Sequence, residues 1–209
     1  MSAWRIQPAM RGLTLVLALA CAAGSVKRID GAYAAPNGRF SCDVGPTQVR
    51  DFYDPKVDRG MAEFFDDWGM QAAYFTNGTN SLLPTRSEDR ASDLAAAKAR
   101  FALPNVLAPR GSKGAQVLHE QVIPVGGEPA LFLIVDIPGS SGAFNATTGK
   151  HFSAKVAALI FIRADYVFVL TLQSNMGDVE LAKPGSQLPV ADFTNGITKF
   201  YQTCSFPAS

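Results

Sequence analysis

The chain has 209 residues and a net charge of +1, with 47% hydrophobic and 18% charged residues. That balance excludes a disordered polymer, and the near-zero charge excludes a nucleic-acid footprint or a polybasic membrane surface. What remains is one globular domain of ordinary size, with a real core, preceded by a targeting segment.

The N-terminus reads as an export signal. Arg5 and Arg11 form a basic start, and residues 13–24 form a short apolar run. Those twelve residues are too few to span a bilayer, so no integral membrane span is expected. The small-x-small sites include Ala20-Cys21-Ala22 before Ala23, and Ala32-Tyr33-Ala34 before Ala35. The second is preferred, because Ala35-Pro36-Asn37-Gly38 resembles the loose start of a mature chain. This reading makes residues 1–34 the signal and 35–209 a single periplasmic or secreted domain. A rival reading makes Cys21 a lipid-bearing membrane anchor. Its preceding Ala18-Leu19-Ala20 has the small residue in place, but the Leu lies one position from where a lipoprotein signal carries it. With Cys21 removed, Cys42 and Cys204 remain, and two thiols in an exported chain are expected to pair. No Cys-x-x-Cys exists to suggest redox chemistry.

Beyond Cys42, residues 47–53, 61–65 and 70–76 read as short strands. Asp66-Asp67-Trp68-Gly69 forms the turn between the last two. Asp66, Asp67 and Trp68 are the speculative binding residues, an aromatic beside two acids at an exposed tip. Asp54, Asp58, Asp66 and Asp67 could instead gather around a calcium ion, but their spacing matches no complete calcium loop. Residues 87–103 predict a helix: Ser87 can cap it, Glu88 and Asp89 suit its first turn, and Leu94, Ala97 and Phe101 share a face. Pro104 should stop it.

Residues 116–123 and 130–137 follow as strands, then a Gly/Ser/Thr loop at 139–150 long enough to contact a partner. The most informative stretch is 156–172. Its two apolar, β-branched and aromatic runs, 156–162 and 166–172, flank the polar Arg163-Ala164-Asp165, which reads as a β-hairpin. Neither run alternates, so both faces should be covered. Residues 175–188 read as irregular. Residues 189–204 read as a closing helix with Phe193, Ile197, Phe200 and Tyr201 on one face, weakened by Gly196.

The inventory of catalytic parts is thin. There are two histidines, His119 in a strand and His151 at a loop end, and no zinc pair. Gly139-Ser140-Ser141-Gly142 lacks the Gly-x-Ser-x-Gly spacing of a nucleophile elbow. A hydrolase would need His119 or His151 to meet Ser140 or Ser141. The reading therefore assigns no catalytic residue, metal ligand or cofactor. It expects an α+β domain, with an antiparallel sheet of six to seven strands flanked by helices. The function expected is a non-enzymatic binding or scaffolding module for an unidentified protein or small-molecule partner. The alternatives are a hydrolase with a weak Ser/His site or an acidic metal-binding module.

Over the second half, Val125-Gly126-Gly127-Glu128-Pro129-Ala130, the runs 158–163 and 166–172, and the terminal segment 193–206 together resemble the PsbP-type fold. The resemblance implies an antiparallel sheet flanked by helices, and binding or scaffolding more often than catalysis. No site residue carries over from it.

Overall fold

The computed structural model describes residues 26–66, 69–78, 90–107 and 115–206. Among the described residues, nine strands form one antiparallel sheet: β1 (Lys27–Ala34), β2 (Ser41–Asp54), β3 (Arg59–Phe65), β4 (Gly69–Asn77), β5 (Gln116–Val125), β6 (Glu128–Ile137), β7 (Ala154–Arg163), β8 (Tyr166–Ser174) and β9 (Cys204–Ser205). Their order is β1-β2-β3-β4-β8-β7-β6-β5, with the two-residue β9 added to the start of β2. Two successive meanders are thus joined where β4 pairs with β8.

The sheet has more strands than the six to seven expected. The additions are the segments with the weakest local signal. β1, KRIDGAYA, is charged and shifts register between Asp30 and Ala32, around Gly31 at φ 113°. β9 is too short to show a period and is fixed to Cys42 by a disulfide. The sheet thus also includes Lys27–Ala34, a segment the sequence reading placed at the end of the signal.

The hairpin at 156–172 is present as β7 and β8, in the middle of the sheet. Its polar break is a tight turn, with Ala164 at φ 43° and Asp165 at φ 66°. Two successive left-handed residues match the twist of the strands they join. On one face Ala157, Leu159, Phe161, Phe168 and Leu170 pack with Ile197 and Phe200 of α3 (Val190–Gln202). On the other, Val156, Ala158, Ile160, Val167 and Val169 pack with Leu94 and Ala97 of α1 (Arg90–Ala97) and with Phe101. Both faces of the hairpin are buried in separate apolar clusters, which is why neither run alternates.

Pro104 does not stop the first helix. α1 widens into π-type winding over Lys98–Leu107, with Pro104 inside. Pro104 lacks the N–H that would serve a carbonyl one turn back. Asn105 Nδ2 adds a side-chain tie within the same turn, donating to the Arg100 and Phe101 carbonyls, each at 3.2 Å. The predicted cap at Ser87, with Glu88 and Asp89, lies outside the described residues.

Residues expected to be irregular contain α2 (Asn175–Leu181), capped by Ser174 accepting from the Gly177 N–H. The closing helix ends at Gln202, so Cys204 lies in β9 and not in the helix. Gly196 has a packing reason: a Cβ there would lie 2.7 Å from Leu172 Cδ2, so its absence lets α3 lie close on β8.

The β5–β6 turn gives a direct test of this packing. Gly126 has φ 58°, and a Cβ on it would lie 2.5 Å from Tyr201 Oη and 2.6 Å from Arg163 Nη2. That Arg163 nitrogen donates to the Gly126 carbonyl at 3.2 Å and to Tyr201 at 3.1 Å. Gly127, at φ 83°, has open space around it. Gly127→Ala is expected to cost about 1–2 kcal/mol of backbone strain. Gly126→Ala should cost about 0.5–1.5 kcal/mol beyond that, because Arg163 and Tyr201 must move and give up a hydrogen bond. Urea midpoints of the two variants would check this, and equal losses would contradict the packing described.

Candidate functional site

The loop between β6 and β7 is tied to α2 by a buried polar network. Ser141 is fully buried, and its hydroxyl donates to Asp178 Oδ2 at 2.7 Å while accepting from the Ala143 N–H at 3.1 Å. Asp178, in the first turn of α2, is also buried. It accepts from Gln173 Nε2 at 3.0 Å and, through Oδ1, from the Lys155 N–H at 2.7 Å. Asn175 Oδ1 accepts from the Gly142 N–H at 3.2 Å. Burial pushes the Asp178 carboxyl above its ordinary value, opposed by the hydrogen bonds from Lys155, Ser141 and Gln173 and by the Lys155 charge.

Above this base the two arms of the loop pair with each other. The Ser141 N–H donates to the Phe152 carbonyl at 3.0 Å, the Phe152 N–H to the Ala143 carbonyl at 3.1 Å, and Phe144 bridges His151. At the tip, Asn145 Oδ1 accepts from the N–H groups of Thr147 at 2.9 Å and Thr148 at 3.1 Å. Such side-chain turns fix a loop without help from the core. Ala146, Thr147, Thr148, Gly149, Lys150 and His151 are exposed. The result is a polar projection with an ordered tip and a buried anchor.

The serines and histidines singled out from the sequence take structural positions. Ser140 Oγ donates to the Ile137 carbonyl at 2.8 Å, and the Ser141 hydroxyl is directed to Asp178. His151 Nδ1 lies 2.8 Å from the Ser141 backbone carbonyl and so acts as its donor, well placed to hold the loop but not to activate the hydroxyl. His119 packs its ring on Phe132 at 5.8 Å, and among the described residues its buried Nε2 has no hydrogen-bond partner. Among the described residues, neither histidine meets a serine hydroxyl.

The aspartates disperse into turns. Asp54 Oδ1 accepts from the Lys56 N–H at 3.0 Å, and Asp66 Oδ1 from the Gly69 N–H at 3.0 Å. Asp67 and Trp68 lie outside the described residues. Asp58, at φ 46°, accepts from Tyr53 at 3.0 Å, from Asn37 at 3.2 Å and from the Tyr166 hydroxyl. Arg39 lies 3.9 Å from Asp58 and over the Tyr166 ring at 4.4 Å. Partial burial raises the Asp58 carboxyl, but the Tyr166, Asn37 and Tyr53 hydrogen bonds and the Arg39 charge outweigh it, so the net shift is downward. This cluster staples the β2–β3 turn to the start of β8. Among the described residues, no three His, Cys, Asp or Glu side chains are grouped to hold a metal ion.

Two features were not visible in the sequence. The Ser141–Asp178 pair spans 37 residues and the Tyr166–Asp58 pair spans 108, so no local pattern links them. The one available signal was Ser174 with Asp178 four residues on, which suits a helix start.

The Cys42–Cys204 disulfide is present, joining β2 to β9, and is consistent with an oxidising compartment. No helix among the described residues is long and apolar enough to cross a membrane. No family model matches the chain. No curated protein matches it either. Among solved structures, the fold weakly resembles cyanobacterial PsbP from Synechocystis, with a TM-score of 0.46 and 8% identity over 90% of this chain and 96% of that one. A Pseudomonas aeruginosa protein of unknown function is similar at a TM-score of 0.38 and 11% identity, over 89% of this chain and 99% of that one.

Proposed function

We propose that the chain is an exported, non-enzymatic binding or scaffolding module that engages its partner through the loop at residues 139–150. The observation that supports this reading is the loop's construction: its base is fixed by the buried Ser141–Asp178 network while residues 146–151 are exposed. A surface loop ordered before binding loses less conformational entropy when a partner arrives. The turn carrying Asp66, Asp67 and Trp68 is the second contact. Ser140, Ser141 and His151 tie down the loop, His119 packs its ring on Phe132, and Asp54, Asp58 and Asp66 serve turns.

The test is affinity capture from the exported compartment with wild type, a Thr147→Arg/Lys150→Glu tip variant, and an Asp66→Ala/Trp68→Ala variant. A specific partner retained by wild type and reduced at least about tenfold by the tip variant supports the reading. Equal retention by all three removes both contacts. Turnover of a generic ester or peptide that disappears in His119→Ala would establish a hydrolase instead.

A further inference from the structure

The strand β1 bears on where an exported chain would be cut, and the inference rests on the export reading above. Tyr33 is 4% exposed, packs on Phe40 at 5.9 Å and Phe64 at 5.4 Å, and donates its hydroxyl to Asp51 at 3.0 Å. Lys27 reaches the same Asp51 at 2.9 Å, and Ile29 packs against the apolar cluster under α3. The ladder to β2 runs from Lys27 opposite Val49 to Ala34 opposite Ser41, next to Cys42. Cleavage after Ala34 would remove this strand and Tyr33, expose the Phe40 and Phe64 rings, and leave β2 as an open edge.

We infer that the mature protein retains Lys27–Ala34 and that processing falls after Ala22, at the small-x-small site Ala20-Cys21-Ala22. The charged Lys27, Arg28 and Asp30, out of place at the end of a signal, then belong to a solvent-facing edge strand that charges protect from adding further strands.

The experiment expresses the full chain and determines the N-terminus of the exported form by intact mass and terminal sequencing. Parallel chains carry Ala22→Leu or Ala34→Leu. Ala34 is exposed, so leucine there leaves the packing intact. The expected result is a mature chain beginning at Ala23, with processing slowed or displaced by Ala22→Leu and unchanged by Ala34→Leu. A chain beginning at Ala35, or processing blocked by Ala34→Leu, overturns the inference. An acylated Cys21 at the N-terminus overturns the Ala22 site. An unprocessed chain that stays in the cytoplasm overturns the export reading and this boundary with it.

Discussion

Replacing Cys42 and Cys204 together by alanine is expected to lower unfolding free energy by about 5 kcal/mol. The bridge closes a loop with a sequence separation of 162, and the chain-entropy estimate for so long a loop is about 5 kcal/mol. Domains of this size are commonly stable by about 5–15 kcal/mol, so the loss is a large fraction of the whole. Position adds to length. Cys42 is 1% exposed, and β9 pairs with β2 only at Ser41 and Cys42. Without the bridge, the residues that follow α3 lose their covalent tie to β2, including Phe206, which stacks on Phe40 and packs against Phe161 and Phe168. Urea unfolding with and without reductant checks this. Wild type should fall to the level of the double variant on reduction, and the double variant should not respond. A change under about 1 kcal/mol would show that the bridge does little for the fold.

Asp178→Ala should produce the second large effect, about 3 kcal/mol. The substitution strands three donors in a buried place: the Lys155 N–H, Gln173 Nε2 and the Ser141 hydroxyl. Each unsatisfied group costs about 1–3 kcal/mol, less where a hydroxyl can turn to another acceptor. Asp178→Asn should cost less, because an amide oxygen can keep the Lys155 bond while its NH₂ group meets the Ser141 oxygen and, once the Gln173 amide turns over, the Gln173 oxygen. The two variants also differ from wild type in pH dependence. Burial raises the folded Asp178 above its ordinary value of 3.8, so in the native state this carboxyl holds its proton to higher pH than in the unfolded chain. Its contribution is then fully present below the unfolded value and is lost as pH rises through the folded one. The stability of wild type relative to Asp178→Asn should decline over that window. A difference that grew with pH would mean that the hydrogen bonds outweigh burial.

The parts of the fold legible in the sequence were those whose signal is local. The runs in β7 and β8 declared two covered faces by lacking alternation, and Leu94, Ala97 and Phe101 marked the buried side of the first helix. What escaped depends on partners far along the chain. Nothing in KRIDGAYA identifies a strand until Asp51 is found bonded to the Lys27 and Tyr33 side chains. Pro104 is an ordinary stop signal, yet the winding widens and runs through it to Leu107, where Asn105 Nδ2 ties back to the Arg100 and Phe101 carbonyls. The site was partly legible. The composition of residues 139–150 pointed to a contact loop, but its anchor Asp178 lay in a stretch read as irregular, and no local pattern showed that Ser141 would be buried against it.

Amide hydrogen exchange across residues 141–155 tests most directly whether this loop is a fixed platform. The N–H groups of Ser141, Gly142, Ala143, Phe152 and Lys155 all have acceptors in the structure. They should be protected in wild type well beyond the amide of the exposed Ala146 at the tip. In Asp178→Ala that protection should collapse while the amides of β6, β7 and β8 stay slow. Free exchange of these loop amides in wild type, or unchanged protection in the variant, would contradict the latched loop and the binding surface built on it.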